Sequence, residues 1–142
     1  MPEVTPAAAI VSGFLTALEN SDLDAASAFL DENVEYQNVP LPVDHGKAAT
    51  IATLKRFLLL ANRFEVRMHN MTENDGVVLT ERTDILSGPG VHLEFWVCGT
   101  FVVRNGRITV WRDYFDMLTV LGQVAKSAPG IASALVRAVF QR

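Results

Sequence analysis

At 142 residues, 49% of them hydrophobic, the chain can bury one core but is short for two, so a single domain over 1–142 is expected. A net charge of −4, with only 12 scattered Lys and Arg, excludes the basic footprint of a nucleic-acid binder or of a protein drawn to an anionic membrane. The lone Cys98 excludes an internal disulfide and fits a reducing compartment, so a cytoplasmic location is expected, and no run reaches the roughly 18 apolar residues of a membrane span.

The first residues lack a basic region and break their apolar run at Ser12, Gly13 and Thr16, so they are not read as a signal peptide. Thr5-Pro6 is a helix start, and Ile10, Val11, Phe14, Leu15 and Leu18 recur at helical spacing up to Asn20. Ser21 and Asp22 offer a cap for a second, short helix through Leu23, Ala26, Phe29 and Leu30, ending near Asp31. Val34 to Asn38 reads as extended and is ended by Pro40 and Pro42. Gly46 to about Asn62 is helical again, with Ile51, Leu54, Leu58 and Ala61 on one stripe.

After Asn62 the period changes to two. Phe64, Val66 and Met68 alternate with polar residues, and Asn74-Asp75-Gly76 predicts a hairpin turn into a strand over 77–86. Ser87-Gly88-Pro89-Gly90 marks a second turn, 91–103 a long strand, and Asn105-Gly106 a third turn into a strand over 108–115. Helices followed by four strands joined through tight turns predict an α+β fold, an antiparallel sheet with helices on one face. The tail over 118–142, apolar and interrupted around Ser127-Ala128-Pro129-Gly130, is expected to be helical and to close the mouth of the sheet or join a subunit contact.

Two strands carry charges where apolar residues are expected. Strand alternation puts Val78, Thr80, Arg82, Asp84 and Leu86 on one face, and Thr109, Trp111, Asp113 and Phe115 on one face of the last strand. A carboxylate between two large aromatics is costly without a partner, and one guanidinium, with five donors in a rigid fork, can serve two carboxylates at once. Such a triad is either a buried structural ion-pair network or an acid/base pair, in which burial and like charge separate the proton affinities of the two acids. Tyr36 and Asn38, two apart in the short strand, either orient a water or make ordinary hydrogen bonds at a strand end.

Three separated pieces, "EYQNVPLP" at 35–42, "LTERTDIL" at 79–86 and "WRDYFD" at 111–116, make the chain resemble the limonene-1,2-epoxide hydrolase family in order and spacing from the first helix to about Asp116. "FWVCGTF" at 95–101 resembles the mycobacterial branch, associated with bulky lipid-like epoxides. The resemblance implies the curved, cone-shaped sheet of the nuclear transport factor and ketosteroid isomerase superfamily, with N-terminal helices packed on it and an apolar pocket inside. It also implies a homodimer and cofactor-independent hydrolysis of a hydrophobic epoxide to a vicinal diol. In the roles implied, Asp113 is the base that deprotonates water, Tyr36 and Asn38 position that water, Asp84 is the acid that protonates the epoxide oxygen, and Arg82 bridges the two aspartates.

Met68, Leu86, Phe95, Trp96, Phe101, Trp111 and Phe115 are candidate cavity residues, with strand parity leaving open which face inward. His45, His69 and His92 lack metal-ligand spacing and read as surface or turn residues, so no metal and no cofactor is expected. Cys98 has no nearby base and reads as a packed or pocket-lining thiol. No Gly-x-Ser-x-Gly elbow is present. An isomerase or polyketide cyclase on the same fold, and a non-catalytic hydrophobic-ligand carrier, are the alternative readings.

Overall fold

A computed structural model describes residues 6–129, and it arranges them as helices laid against one face of a curled, unclosed six-stranded sheet. Helix α1 (Pro6–Glu19) turns Val11, Phe14, Leu15 and Leu18 into the core, the stripe that its spacing predicts. Asp22 caps α2 (Leu23–Ala28) by accepting from Ala25 N at 3.0 Å. Gly13 lets the end of that helix close on α1, since a Cβ there would lie 2.8 Å from the ring of Phe29.

The chain leaves α2 earlier than expected, because Phe29 O accepts from Ile108 N at 2.8 Å and Leu30 already pairs with Ile108 of the last strand. Strand β1 therefore runs over Leu30–Val39, longer than the predicted extended segment. A two-residue β2 (Asp44–His45), which no periodicity could reveal, pairs antiparallel with β1 before α3 (Lys47–Leu60).

The last four strands follow the predicted turns: β3 (Arg63–Asn74), β4 (Val77–Gly88), β5 (Val91–Arg104) and β6 (Arg107–Phe115). Asp75-Gly76 and Asn105-Gly106 adopt positive φ at both positions, 50° and 78°, then 52° and 75°, which is the twist-matched two-residue hairpin turn. The second turn is tighter than expected: β4 continues through Gly88, and Pro89-Gly90 makes the reversal with Gly90 at φ 76°.

The sheet order is β2-β1-β6-β5-β4-β3. All neighbours are antiparallel except β1 and β6, which are parallel and bring the N-terminal half of the chain to the last strand, with Tyr36 beside Trp111 and Asn38 beside Asp113. The core sits between α1 and the inner face of the sheet, where Phe14 meets Trp111 edge-on at 4.9 Å and Phe101 at 6.5 Å.

From the tail, α4 (Met117–Lys126) is capped by Asp116, which accepts from Leu118 N at 2.9 Å. Gln123 holds it to β5 through both amide atoms, accepting from Glu94 N at 2.7 Å and donating to Glu94 O at 2.6 Å. The expectation for 130–142 lies outside the described residues.

Candidate active site

Register places the charged residues in rows across the inner face. Thr80 of β4, Gly99 of β5 and Asp113 of β6 are consecutive cross-strand partners, and Asn38 of β1 completes that row. Arg82 and Asp84 stand one and two steps further along the same face of β4.

Arg82 is fully buried. Its Nε donates to Asp84 Oδ1 at 2.8 Å, and its Nη2 donates to both Asp84 Oδ2 and Asp113 Oδ2 at 2.9 Å. Nη1 donates to Thr80 Oγ1 at 3.1 Å, and the Thr80 hydroxyl in turn points to Gly99 O at 3.5 Å. The guanidinium also lies 5.9 Å from the centroid of the Phe101 ring, a cation–π contact on its apolar side. Asp113 is completed by Trp111 Nε1, which donates to Oδ1 at 3.0 Å.

Arg82 and Asp113 stand on strands separated by β5, roughly 10 Å apart at about 4.8 Å per strand, so the guanidinium must cross β5. Gly99 is what lets it cross. A Cβ there would lie 2.5 Å from Arg82 Nη1, 2.8 Å from Thr80 Oγ1 and 2.9 Å from Asp113 Oδ1. The sequence motifs do not mark Thr80 or Gly99 as site residues. Thr80 shares the parity of Arg82, and a glycine inside an apolar strand signals close approach, so both signals were present.

Beside the triad, Asn38 Nδ2 donates to Tyr36 Oη at 2.9 Å, and the phenol ring stacks on Trp111 at 4.0 Å. The Tyr36 hydroxyl is pushed well above the ordinary phenol range, first by burial and then by the Asp113 charge, so it stays a donor. Burial works against the Arg82 charge, yet Asp113 and Asp84 more than offset it and raise its proton affinity. Asp113 is itself pushed up from the usual carboxylate range by burial, against the lowering influence of Arg82, with Asp84 adding to the rise.

These groups border a cavity of about 340 Å³ whose polar side chains are Tyr36, Asn38, Asp84 and Asp113 and whose remaining lining is apolar. Of the candidate cavity residues, Leu86, Phe95, Trp111 and Phe115 line it. Met68, Trp96 and Phe101 do not. Met68 lies opposite Arg82, but on the edge strand at a register shift, and is 38% exposed. Trp96 has the other parity of β5, faces outward at 52% exposure and donates through Nε1 to Glu81 Oε2 at 2.9 Å. Phe101 is buried in the core beneath Arg82, and Cys98, a free thiol, shares the outward parity of Trp96 and is not among the lining residues.

Walls that parity alone could not supply come from the helices: Leu54 and Phe57 of α3, and Met117, Val120 and Val124 of α4. His45, His69 and His92 are exposed, and among the described residues no group of three His, Cys, Asp or Glu is arranged to hold a metal ion.

Comparison with known proteins identifies the family and the fold. Residues 5–126 match the limonene-1,2-epoxide hydrolase catalytic domain. Epoxide hydrolase EphG of Mycobacterium tuberculosis is 41% identical over 130 residues, covering 88% of this chain and 87% of that protein. The structure of an M. tuberculosis LEH-like epoxide hydrolase matches with a TM-score of 0.77 at 38% identity, covering 99% of this chain and 100% of that one. An NTF2-like protein of Burkholderia pseudomallei shares the fold alone, with a TM-score of 0.78 at 16% identity over 85% of this chain and 98% of its own. By its sequence over most of its length and by its fold, the chain belongs to the limonene-1,2-epoxide hydrolase family.

Proposed function

We propose that the protein hydrolyses a hydrophobic epoxide to a vicinal diol in one step, by general acid and general base catalysis without a covalent intermediate. The observation that carries this reading is two carboxyl groups held on one buried guanidinium, facing a Tyr–Asn pair at the wall of an apolar cavity. The kinship with an epoxide hydrolase of 41% identity supports the substrate class.

In this mechanism a water lies between Asp113, Asn38 and Tyr36. Its hydrogens point to the Asp113 carboxylate and the Asn38 carbonyl oxygen, the Tyr36 hydroxyl donates to one lone pair, and the other faces an epoxide carbon. As the water oxygen bonds to carbon, its proton passes to Asp113, the carbon–oxygen bond of the ring breaks, and Asp84 gives its proton to the departing oxygen. Each proton transfer contributes roughly 10²–10⁴-fold. The upward push on Asp113 strengthens it as a base, and the double grip of Arg82 on Asp84 stabilises the carboxylate left behind. Resetting the enzyme moves one proton from Asp113 to Asp84, two groups bonded to the same Nη2.

An isomerase or cyclase on this fold would need an acid free to work alone, whereas here Arg82 engages both. We further read the protein as a cytoplasmic homodimer. Its lone free cysteine and the exposed Leu79, Trp96 and Tyr114 on the outer side of the sheet support those two points. No helix among the described residues is long and apolar enough to cross a membrane.

The test is a panel of terpene, aryl, fatty-acyl and sterol epoxides, with diol detected by mass spectrometry and a single turnover run in oxygen-18 water. Diol labelled in that first turnover is expected. Label arriving only in later turnovers would replace the one-step route with an ester intermediate, and no diol from any epoxide with folded protein would overturn the reading.

A further inference from the structure

The indole of Trp111 is used by none of the steps above except as a wall, yet its surroundings are those of a positioning device. The residue is 3% exposed, and its ring is packed against three others: Tyr36 stacked at 4.0 Å and 22°, Phe101 near-parallel at 6.0 Å and 13°, and Phe14 edge-on at 4.9 Å and 84°. A ring confined on these sides keeps one orientation, so the direction of its N–H is fixed. That N–H reaches Asp113 Oδ1 at 3.0 Å while Arg82 holds Oδ2 at 2.9 Å. The carboxylate therefore cannot turn about its Cβ–Cγ bond without losing both donors, and each oxygen keeps lone-pair capacity for a water.

The same ring backs the phenol of Tyr36, whose hydroxyl accepts from Asn38. One side chain thus sets the relative position of the base and of the pair that would hold the water. We propose that Trp111 is a positioning residue for hydrolysis: its indole N–H fixes the rotamer of Asp113, and its ring face fixes Tyr36 against that carboxylate. This rests on Asp113 being the base. A hydrogen bond to the ionised form also favours that form, which opposes the upward push that burial exerts on Asp113.

Trp111→Phe keeps an aromatic ring against Tyr36 while removing the donor together with the five-membered ring that carries it. In that variant kcat is expected to fall roughly ten- to hundredfold, the scale of one charge-assisted hydrogen bond, with KM within about threefold. The sign for pH follows: losing a donor to the carboxylate raises the proton affinity of Asp113, so the acid limb of the kcat/KM profile moves to higher pH. A role as apolar wall alone would instead change KM and leave kcat and the acid limb in place, and that result overturns the proposal.

A second measurement needs neither turnover nor a folded variant at position 111. The chain has two tryptophans, so the wild-type protein gives two indole N–H resonances, separated by comparison with Trp96→Phe. The Trp111 resonance is expected to step with pH as Asp113 titrates and to lose that step in Asp113→Asn. A Trp111 resonance flat across the carboxylate range overturns the coupling, whereas a step in a protein that makes no diol keeps the coupling and removes only the proposed reaction.

Discussion

Two tryptophans of this sheet each donate an indole N–H to a carboxylate, on opposite sides of the same sheet, and the two acids respond in opposite directions. On the outer side, Trp96 reaches Glu81 at 2.9 Å and Asn70 reaches the same carboxylate at 2.7 Å; those two hydrogen bonds, Asn70 first, hold Glu81 below the ordinary glutamate range. On the inner side, Asp113 has an indole at 3.0 Å and a full positive charge at 2.9 Å, a stronger set of donors, and is nevertheless pushed up, because burial is the largest influence on it. Proton affinity here follows access to water before it follows the number of donors. Sheet alternation alone separates the two environments, since Glu81 and Arg82 are chain neighbours on opposite faces.

The largest expected effect that tests this contrast is on turnover. Asp113→Asn should lower diol formation at least about a thousandfold while leaving ligand binding measurable, whereas Glu81→Gln should stay within about twofold. A comparable loss in Glu81→Gln would make the outer side part of the site and break the contrast.

On stability, Arg82→Ala leaves two buried carboxyl groups without their shared partner. It should cost about 3–5 kcal/mol, roughly 10–15 °C in Tm for a domain of this size. The outer-side control is Arg67, whose ion pairs with Glu65 at 3.2 Å and Glu94 at 3.8 Å lie in solvent, and Arg67→Ala should change stability by about 0.5 kcal/mol or less. An unchanged melting temperature for Arg82→Ala would mean that water reaches the triad.

What the sequence could show of this site follows the same division between local and distant information. Alternation within β4 and within β6 is local, so Arg82 with Asp84, and Trp111 with Asp113 and Phe115, sort onto single faces from the sequence. The Pro89-Gly90 and Asn105-Gly106 turns are equally local signals, and the pairings they close, β4 with β5 and β5 with β6, make those faces the same face of the sheet. Strand β5 is ambiguous in sequence because Phe95-Trp96-Val97-Cys98 is apolar on both parities, so alternation alone admits Trp96 as a cavity residue although it faces outward. The parallel pairing of β1 with β6 joins segments far apart in the chain, and no local pattern announces that Tyr36 and Asn38 will lie beside Trp111 and Asp113. Gly99 illustrates a third case: the residue that clears a path for Arg82 is legible only as an absence of side chain.

The smallest expected effect sharpens the contrast most. Trp96→Phe removes the same indole N–H as Trp111→Phe, from a carboxylate that water already solvates, so solvent replaces the lost donor and Glu81 rises only toward its ordinary range. Since Glu81 faces away from the cavity, kcat/KM should remain within about twofold and the acid limb of its pH profile should not move. Measured beside Trp111→Phe, the pair assigns any shift of that limb to a single hydrogen bond. If Trp96→Phe moved the limb as far as Trp111→Phe does, the shift would reflect a general response of the sheet to losing an indole, and the indole of Trp111 would have no special hold on Asp113.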